Sequence, residues 1–344
     1  MRGPERWVQY LAALARFAIR SALSVLPTGT SVARGTALTS VATLLIWIPP
    51  GLSALQLSDA GMGPAGPTFH EAFPDLRESL EARIADHRGV VGVVVLDPNT
   101  GEGISIRGDE PFPTASMIKV PILVEVFFRV EEGDLGLDDP LSMLAGDRAP
   151  GAGILRYFEA PAPVSVRNAA LLMTALSDNT ATNLLIAKVG ARAVTDRMEA
   201  LGFADTRLFR RVFGSAQESF DREGSERWGF GVTTPMELAR LLAWIERGEA
   251  VTSEASREML RMLEAQQHRV GIPRLLPADT PVAHKTGTIA AARHDCGIVY
   301  AEARTFVLCV MTQENEDTRT AWDNEAEMLQ GELARLVFDA FGGR

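Results

Sequence analysis

An apolar run headed by a serine and a lysine constrains this chain more than any other stretch. Phe112-Pro113-Thr114-Ala115-Ser116-Met117-Ile118-Lys119 leads directly into Val120-Pro121-Ile122-Leu123-Val124-Glu125-Val126-Phe127-Phe128. A run with one charge in nine residues offers no polar face, so it reads as a helix enclosed by the rest of the fold. Positions i and i+3 share a helix face, which brings Ser116 Oγ within hydrogen-bonding reach of Lys119 Nζ. A serine hydroxyl is a weak nucleophile until a base takes its proton, and a partly desolvated lysine amine can be that base. At a helix N-terminus the serine also sits among unpaired N–H groups that suit a developing oxyanion.

Lysine is scarce in this chain. Thirty-one arginines stand against three lysines, Lys119, Lys188 and Lys285. Arginine holds its proton in a protein, whereas lysine can release one. A sequence that uses arginine almost everywhere for charge has kept lysine at three places, one of them beside Ser116.

The 344 residues, 46% hydrophobic and 23% charged, suffice for one or two globular domains. A net charge of −10 argues against a nucleic-acid surface. Residues 1–60 differ from the remainder. Five arginines precede an apolar run over residues 37–48 that ends at Pro49-Pro50. That order predicts an export signal or N-terminal membrane anchor, and the run is short for a membrane span. The expected location is therefore periplasmic or extracellular, free or tethered to the membrane. Residues 61–69 read as a Gly/Pro-rich linker, and 70–344 as the folded domain.

Within that domain, residues 75–87 read as a surface helix, 90–96 as an apolar strand and 103–107 as its returning partner across an Asp97-Pro98-Asn99-Thr100-Gly101 turn. Helical patterns follow at 166–176, 180–189, 193–201, 235–246 and 253–267. Strands are expected at 282–288, 295–300 and 305–312, with a closing helix at 324–341. Helix, two strands, many helices, three strands, helix predicts an α+β sandwich. Its five-stranded antiparallel sheet is flanked by helices, with an all-helical subdomain inserted at about residues 130–270.

Two further triplets carry chemistry. Ser177-Asp178-Asn179 falls at the break between two helices, and Lys285-Thr286-Gly287-Thr288 falls on the first late strand. Ser-x-x-Lys, Ser-Asp-Asn and Lys-Thr-Gly, in that order, form the signature of penicillin-recognising serine enzymes. With spacings of 61 residues from Ser116 to Ser177 and 169 from Ser116 to Lys285, the chain resembles a class A β-lactamase catalytic domain over roughly residues 70–342. The resemblance implies the β-lactamase/transpeptidase fold and an acyl-enzyme on Ser116. It implies that Lys119 receives the Ser116 proton, that Ser177 relays a proton to the leaving nitrogen, and that Lys285 keeps the local field positive. The N–H groups of Ser116 and Thr288 would form the oxyanion hole. Asn179 would bond the substrate amide, and Thr286 and Thr288, beside Gly287 and with Lys285, the substrate carboxylate. Asp178 is better read as a turn-stabilising carboxylate than as a catalytic one.

Two departures from the family pattern bear on function. Class A enzymes carry a loop glutamate that activates the deacylating water, and here the matching place holds Val212. The nearby acids Glu218, Asp221, Glu223 and Glu226 read as solvated loop charges, since nothing apolar flanks them. Many class A enzymes also carry a carboxylate-holding arginine on the strand after Lys-Thr-Gly. Counting along that strand puts Cys296 at the place, with Arg293 either reaching in from the loop or lying on the surface.

Cys296 and Cys309 are expected to face each other across the last hairpin as two buried thiols, because cross-strand disulfides are geometrically awkward. The five histidines show no ligand spacing, so neither a metal nor a cofactor is called for, and His284 reads as structural. Three readings follow. The chain is a monomeric serine hydrolase opening β-lactams, a D,D-peptidase acting on peptidoglycan stem peptides, or an idle ligand-binding domain that retains the cleft.

Overall fold

Apart from Gly92, every residue of Val90–Leu96 is aliphatic, and a strand of that composition needs cover on both faces. The computed structural model, which describes residues 66–341, supplies it. The expected export signal or anchor over residues 1–60 lies outside the described residues. In chain order come strand β1 (His70–Glu71), helix α1 (Pro74–Ile84), strands β2 (Val90–Leu96), β3 (Glu102–Ile106) and β4 (Phe112–Pro113), a 3-10 turn over Ala115–Ile118, and helix α2 (Lys119–Glu131). Strands β5 (Pro140–Met143) and β6 (Ala162–Ser165) precede helices α3 (Val166–Ala175), α4 (Asn179–Val189) and α5 (Ala191–Ala200). Then follow β7 (Arg207–Leu208), α6 (Arg222–Trp228), β8 (Gly231–Thr233), α7 (Pro235–Glu246) and α8 (Ser253–Glu264). The chain closes through β9 (Val282–Ile289), β10 (Ala292–Tyr300), β11 (Thr305–Gln313) and α9 (Glu325–Ala340).

The main sheet runs β1-β3-β2-β11-β10-β9. The five expected strands are all present and pair antiparallel, and the two-residue β1 adds a short parallel edge beside β3. Alternation divides the sheet between two cores. Val91, Val93 and Val95 pack with Leu80, Leu333 and Phe338 on the side of α1 and α9. Val94 and Leu96 pack with Ile122, Leu238 and Leu242 on the side of the helical subdomain. Each such fully buried aliphatic side chain contributes about 1.5–3 kcal/mol. Helix α2 runs through the second core, where residues from Lys119 to Phe127 are all buried. Its Glu125 has no solvent exposure and is paired by Arg129 at 2.6 Å and Arg197 at 2.8 Å.

The inserted helices start where the sequence caps them. Ser165, Thr234 and Thr252 accept from the N–H three residues on at the starts of α3, α7 and α8, and Pro235 occupies the first turn of α7. Two small sheets, β4-β8-β7 and β5-β6, were not expected, because strands of two to four residues carry no readable period.

Cys296 and Cys309 pair in register across β10 and β11 and form a disulfide. This corrects the expectation of two thiols. The closely spaced pairs of an antiparallel ladder bring Cα atoms to about 4.5 Å, and here they stand 4.0 Å apart, within bonding range of the sulfurs.

Candidate active site

The strand carrying Lys285-Thr286-Gly287 is the last in the main sheet, so one edge of β9 has no strand beside it. The Ala115–Ile118 turn packs against that strand. Gly287 permits the approach: a Cβ there would lie 3.1 Å from Met117 Cγ, from the Thr114 carbonyl and from the His294 ring. Three non-glycine residues with left-handed backbone sit around this seam, Ala115 at φ 44°, Ser177 at 53° and Phe213 at 59°. Such conformations persist only where the surrounding packing imposes them.

Helix α2 and the start of α4 bring the first two motifs together. Lys119 Nζ lies 3.1 Å from Ser116 Oγ, 3.0 Å from Ser177 Oγ, 2.7 Å from the Ser177 carbonyl and 2.8 Å from Asn179 Oδ1. The carbonyl and the amide oxygen can only accept, whereas the hydroxyls can also donate. A neutral amine therefore satisfies this set by donating its two N–H bonds to the obligate acceptors and turning its lone pair to a hydroxyl. Burial, reinforced by the charge of Lys285, pushes the Lys119 amine well below the ordinary lysine range, against a smaller pull from Asp178. Ser116 itself is half-buried and opens onto the cleft.

The third motif closes the arrangement. Lys285 Nζ donates to the Thr286 carbonyl at 2.7 Å and to Ser177 Oγ at 3.1 Å. Burial brings its amine down to about 7, against the upward pull of Asp295. Ser177 Oγ thus lies between two lysine nitrogens. Asn179 has both ends of its amide engaged, Oδ1 by Lys119 and Nδ2 by the Pro150 carbonyl at 2.9 Å. Thr286, half-buried, and Thr288, exposed, line the cleft with Gly287.

Asp178 stands outside the reacting set. It caps α4 by accepting from Ala181 N–H at 2.9 Å, and its other oxygen accepts from Ile154 and Leu155 N–H at 2.7 and 2.8 Å. Gly153, at φ 104°, lets the chain pass so close that a Cβ would lie 2.2 Å from the Asp178 carboxyl carbon.

The profile of the β-lactamase enzyme family matches residues 75–341. The chain belongs to that family. Among curated relatives it is 29% identical over 275 residues to the extended-spectrum β-lactamase PER-1 of Pseudomonas aeruginosa, covering 75% of this chain and 85% of that protein. Among solved structures, a β-lactamase from Sphaerobacter thermophilus superposes with a TM-score of 0.69 at 30% identity, covering 77% of this chain and 97% of that one. PBP-A superposes equally well, at 26% identity over 80% of this chain and 98% of its own. A PBP-A mutant has been solved as an acyl-enzyme complex with penicillin G. As a member of this family the chain is a serine hydrolase; Ser116 and Ser177 line one cleft of about 680 Å³, and Lys119 and Lys285 lie fully buried behind it against Ser177 Oγ.

Both departures take shape in the structure. Val212 lies at the cleft-side loop with its side chain buried, and none of Glu218, Asp221, Glu223 and Glu226 lines the cleft. Glu218 is paired with Arg211, Asp221 caps α6, and Glu226 is paired with Arg222. Cys296 does not take the place of a carboxylate-holding arginine, because its side chain turns into the core. The cleft-lining guanidinium on β10 is that of Arg293, which is buried rather than on the surface. It donates to the carbonyls of Ile289, Ala290 and Ala292 at the β9–β10 turn and to those of Thr318 and Arg319.

Two exposed aromatic walls were not anticipated: Phe213, 61% exposed, and Trp322, 77% exposed, both line the cleft. Isolated aromatics on loops carry no periodic signal. His294 is a structural ring whose Nε2–H donates to the Pro113 carbonyl at 2.8 Å while Nδ1 accepts from Thr312 N–H at 3.2 Å. It fastens β10 to the strand that precedes Ser116.

Proposed function

We propose that this chain opens the amide bond of β-lactams by forming an acyl-enzyme on Ser116, and that release of the acyl group is slow. The observation that carries the reading is the four-partner shell of Lys119, which a neutral amine satisfies with its lone pair directed to a hydroxyl. In the acylation step Ser116 Oγ bonds to the lactam carbonyl carbon as its proton passes to Lys119. The N–H groups of Ser116 and Thr288 stabilise the oxyanion. As the C–N bond breaks, the proton returns through Ser177 to the leaving nitrogen. Lys285, Thr286 and Thr288 hold the substrate carboxylate, and Asn179 holds the amide side chain once substrate displaces part of its present bonding.

Slow release is supported by Val212. A hydrolytic water needs a base, and an aliphatic side chain at that place provides none. The same observation favours a second reading, a D,D-peptidase that acylates on peptidoglycan stem peptides and is trapped by penicillin. An exported location, which that substrate requires, is proposed on the sequence of residues 1–60 alone, as is membrane tethering. A monomer is proposed on the family resemblance.

Intact-mass spectrometry after addition of a penicillin and then a cephalosporin tests both readings. A persistent adduct, absent in Ser116→Ala, is expected. An adduct that forms and clears as drug is consumed makes the chain a competent β-lactamase and overturns the slow-release claim. Absence of any adduct overturns acylation itself and leaves the idle ligand-binding domain.

A further inference from the structure

Phe213 holds a backbone conformation that its residue type resists. Gly214 N–H bonds to the Arg211 carbonyl at 3.1 Å and closes a turn in which Phe213 is the third residue, at φ 59°. Positive φ at that position of a turn ordinarily calls for Gly or Asn, and a bulky residue there is an outlier. Burial does not account for the choice, because Phe213 is 61% exposed. A strained residue whose ring is left in solvent points to a task other than packing.

The ring has a definite neighbourhood. A Cβ on Gly151, whose φ is 82°, would lie 3.5 Å from Phe213 Cε2 and Cζ and 2.9 Å from Asn179 Nδ2. The tip of the ring and the Asn179 amide therefore border one point beside Gly151. Asn179 is tied to the Gly151 loop on both sides of that glycine. Its Nδ2 donates to the Pro150 carbonyl at 2.9 Å, and its backbone N–H to the Ala152 carbonyl at 3.1 Å. Phe213, Gly151, Ala152 and Asn179 all line the cleft onto which Ser116 opens. Gly151 and Ala152 carry too little side chain to cover the ring.

Asn179 decides what comes to this place. In the acylation reading, on which this inference rests, Asn179 holds the amide of the substrate's acyl side chain. A substituent on the far side of that amide from the lactam begins beside the Phe213 ring. An aromatic face left in water gains most from a second aromatic group, which can stack on it with an offset or meet it edge to face. Charge on the loop sets no rival preference, since Arg211 is paired with Glu218 at 3.0 Å.

We propose that Phe213 sets the acyl-side-chain preference of the cleft, favouring β-lactams whose side-chain amide bears an aromatic ring over those bearing a short aliphatic group.

Ser116→Ala separates binding from reaction, because a penicillin then binds without forming an ester. In that background Kd is measured for a phenylacetamido and an acetamido penicillin on the same ring nucleus. The phenylacetamido compound is expected to bind about fivefold more tightly. Adding Phe213→Gly, which suits the left-handed turn, should abolish most of that ratio by weakening the phenylacetamido compound alone, and Phe213→Trp should retain it. With Ser116 intact, the preference should appear in the drug concentration giving half-maximal acylation and not in the limiting rate. Equal losses for both penicillins in Phe213→Gly would make the ring a structural prop and overturn the proposal. A ratio near one while Phe213 is still present overturns it before any loop variant is made. Should the ratio follow residue 213 while no penicillin labels Ser116, the acylation reading fails and this one stands. Should Ser116 be labelled while the ratio ignores residue 213, the reverse holds.

Discussion

Asn183 grips the peptide of Val212 from both sides: its Oδ1 accepts the Val212 N–H at 2.9 Å and its Nδ2 donates to the Val212 carbonyl at 3.0 Å. The backbone of residue 212 is thereby fixed whatever side chain it carries. Val212 is 4% exposed, and the next residue, Phe213, stands out into the cleft near Gly151 and Asn179. The backbone at this position is held beside the cleft, and Val212 brings no carboxylate to it.

Val212→Glu is therefore expected to convert slow release into turnover. A positioned general base contributes about 10²–10⁴-fold, and a newly installed one should reach the lower end, shortening the life of the penicillin adduct about 10²-fold. The adduct is followed by mass spectrometry after rapid removal of free drug. Adduct formation should change little, since Ser116, Lys119 and Ser177 are untouched. An unchanged adduct lifetime would show that residue 212 does not control release.

Removing the base should stop the first step instead. Lys119→Met keeps the length of the buried side chain and discards the amine. Acylation by penicillin is expected to fall by about 10³-fold, with a circular dichroism spectrum like that of the wild type. Because burial and the Lys285 charge hold the Lys119 amine well below the ordinary lysine range, wild-type acylation should decline as pH drops through that lowered value. A variant that still acylates within tenfold of wild type would assign the proton to another acceptor.

What the sequence disclosed and what it concealed divide along physical lines. That Ser116, Lys119, Ser177 and Lys285 would come together was legible because nucleophile and base residue types stood out in the motifs and helix spacing brings the first pair into reach. The long elements were legible through their apolar runs and caps, as with the aliphatic β2 and the capped α7. Cys296 was misplaced because counting along β10 ignores which face each side chain takes. Residues 293 and 295 face α9, whereas Cys296 faces the helical core, so a shift of one position exchanges the two environments. The shared hydroxyl of Ser177 lay beyond reach as well, since it depends on the distance between two elements far apart in sequence.

The disulfide makes a simple prediction of its own. Both Cys296 and Cys309 are fully buried between β9 and β2, in the middle of the main sheet. Thiol–disulfide exchange requires a thiolate to approach one sulfur in line. The folded protein should therefore resist millimolar-range reductant, whereas denatured protein is reduced at once. Alkylation followed by mass measurement, with and without denaturant, reads this out. Two alkylated cysteines in the native, untreated protein would show that the pair is not bonded.

His294 sets an acid limit on stability. Burial lowers its imidazole from the usual 6.5 to about 4, and the ring holds β4 and β10 together only in its neutral form. The unfolded chain binds a proton at this residue below about 6.5, while the folded chain declines it until about 4. Between those values the unfolded state carries more protons, so unfolding free energy falls as pH falls and levels off below the lower value. The span corresponds to a loss on the order of 3 kcal/mol from this one residue. His294→Gln, which keeps an amide donor for the Pro113 carbonyl, should be less stable at neutral pH. Its stability should also vary less across that window. Denaturant unfolding at a series of pH values measures both. Parallel curves for variant and wild type would mean that other groups govern the acid response.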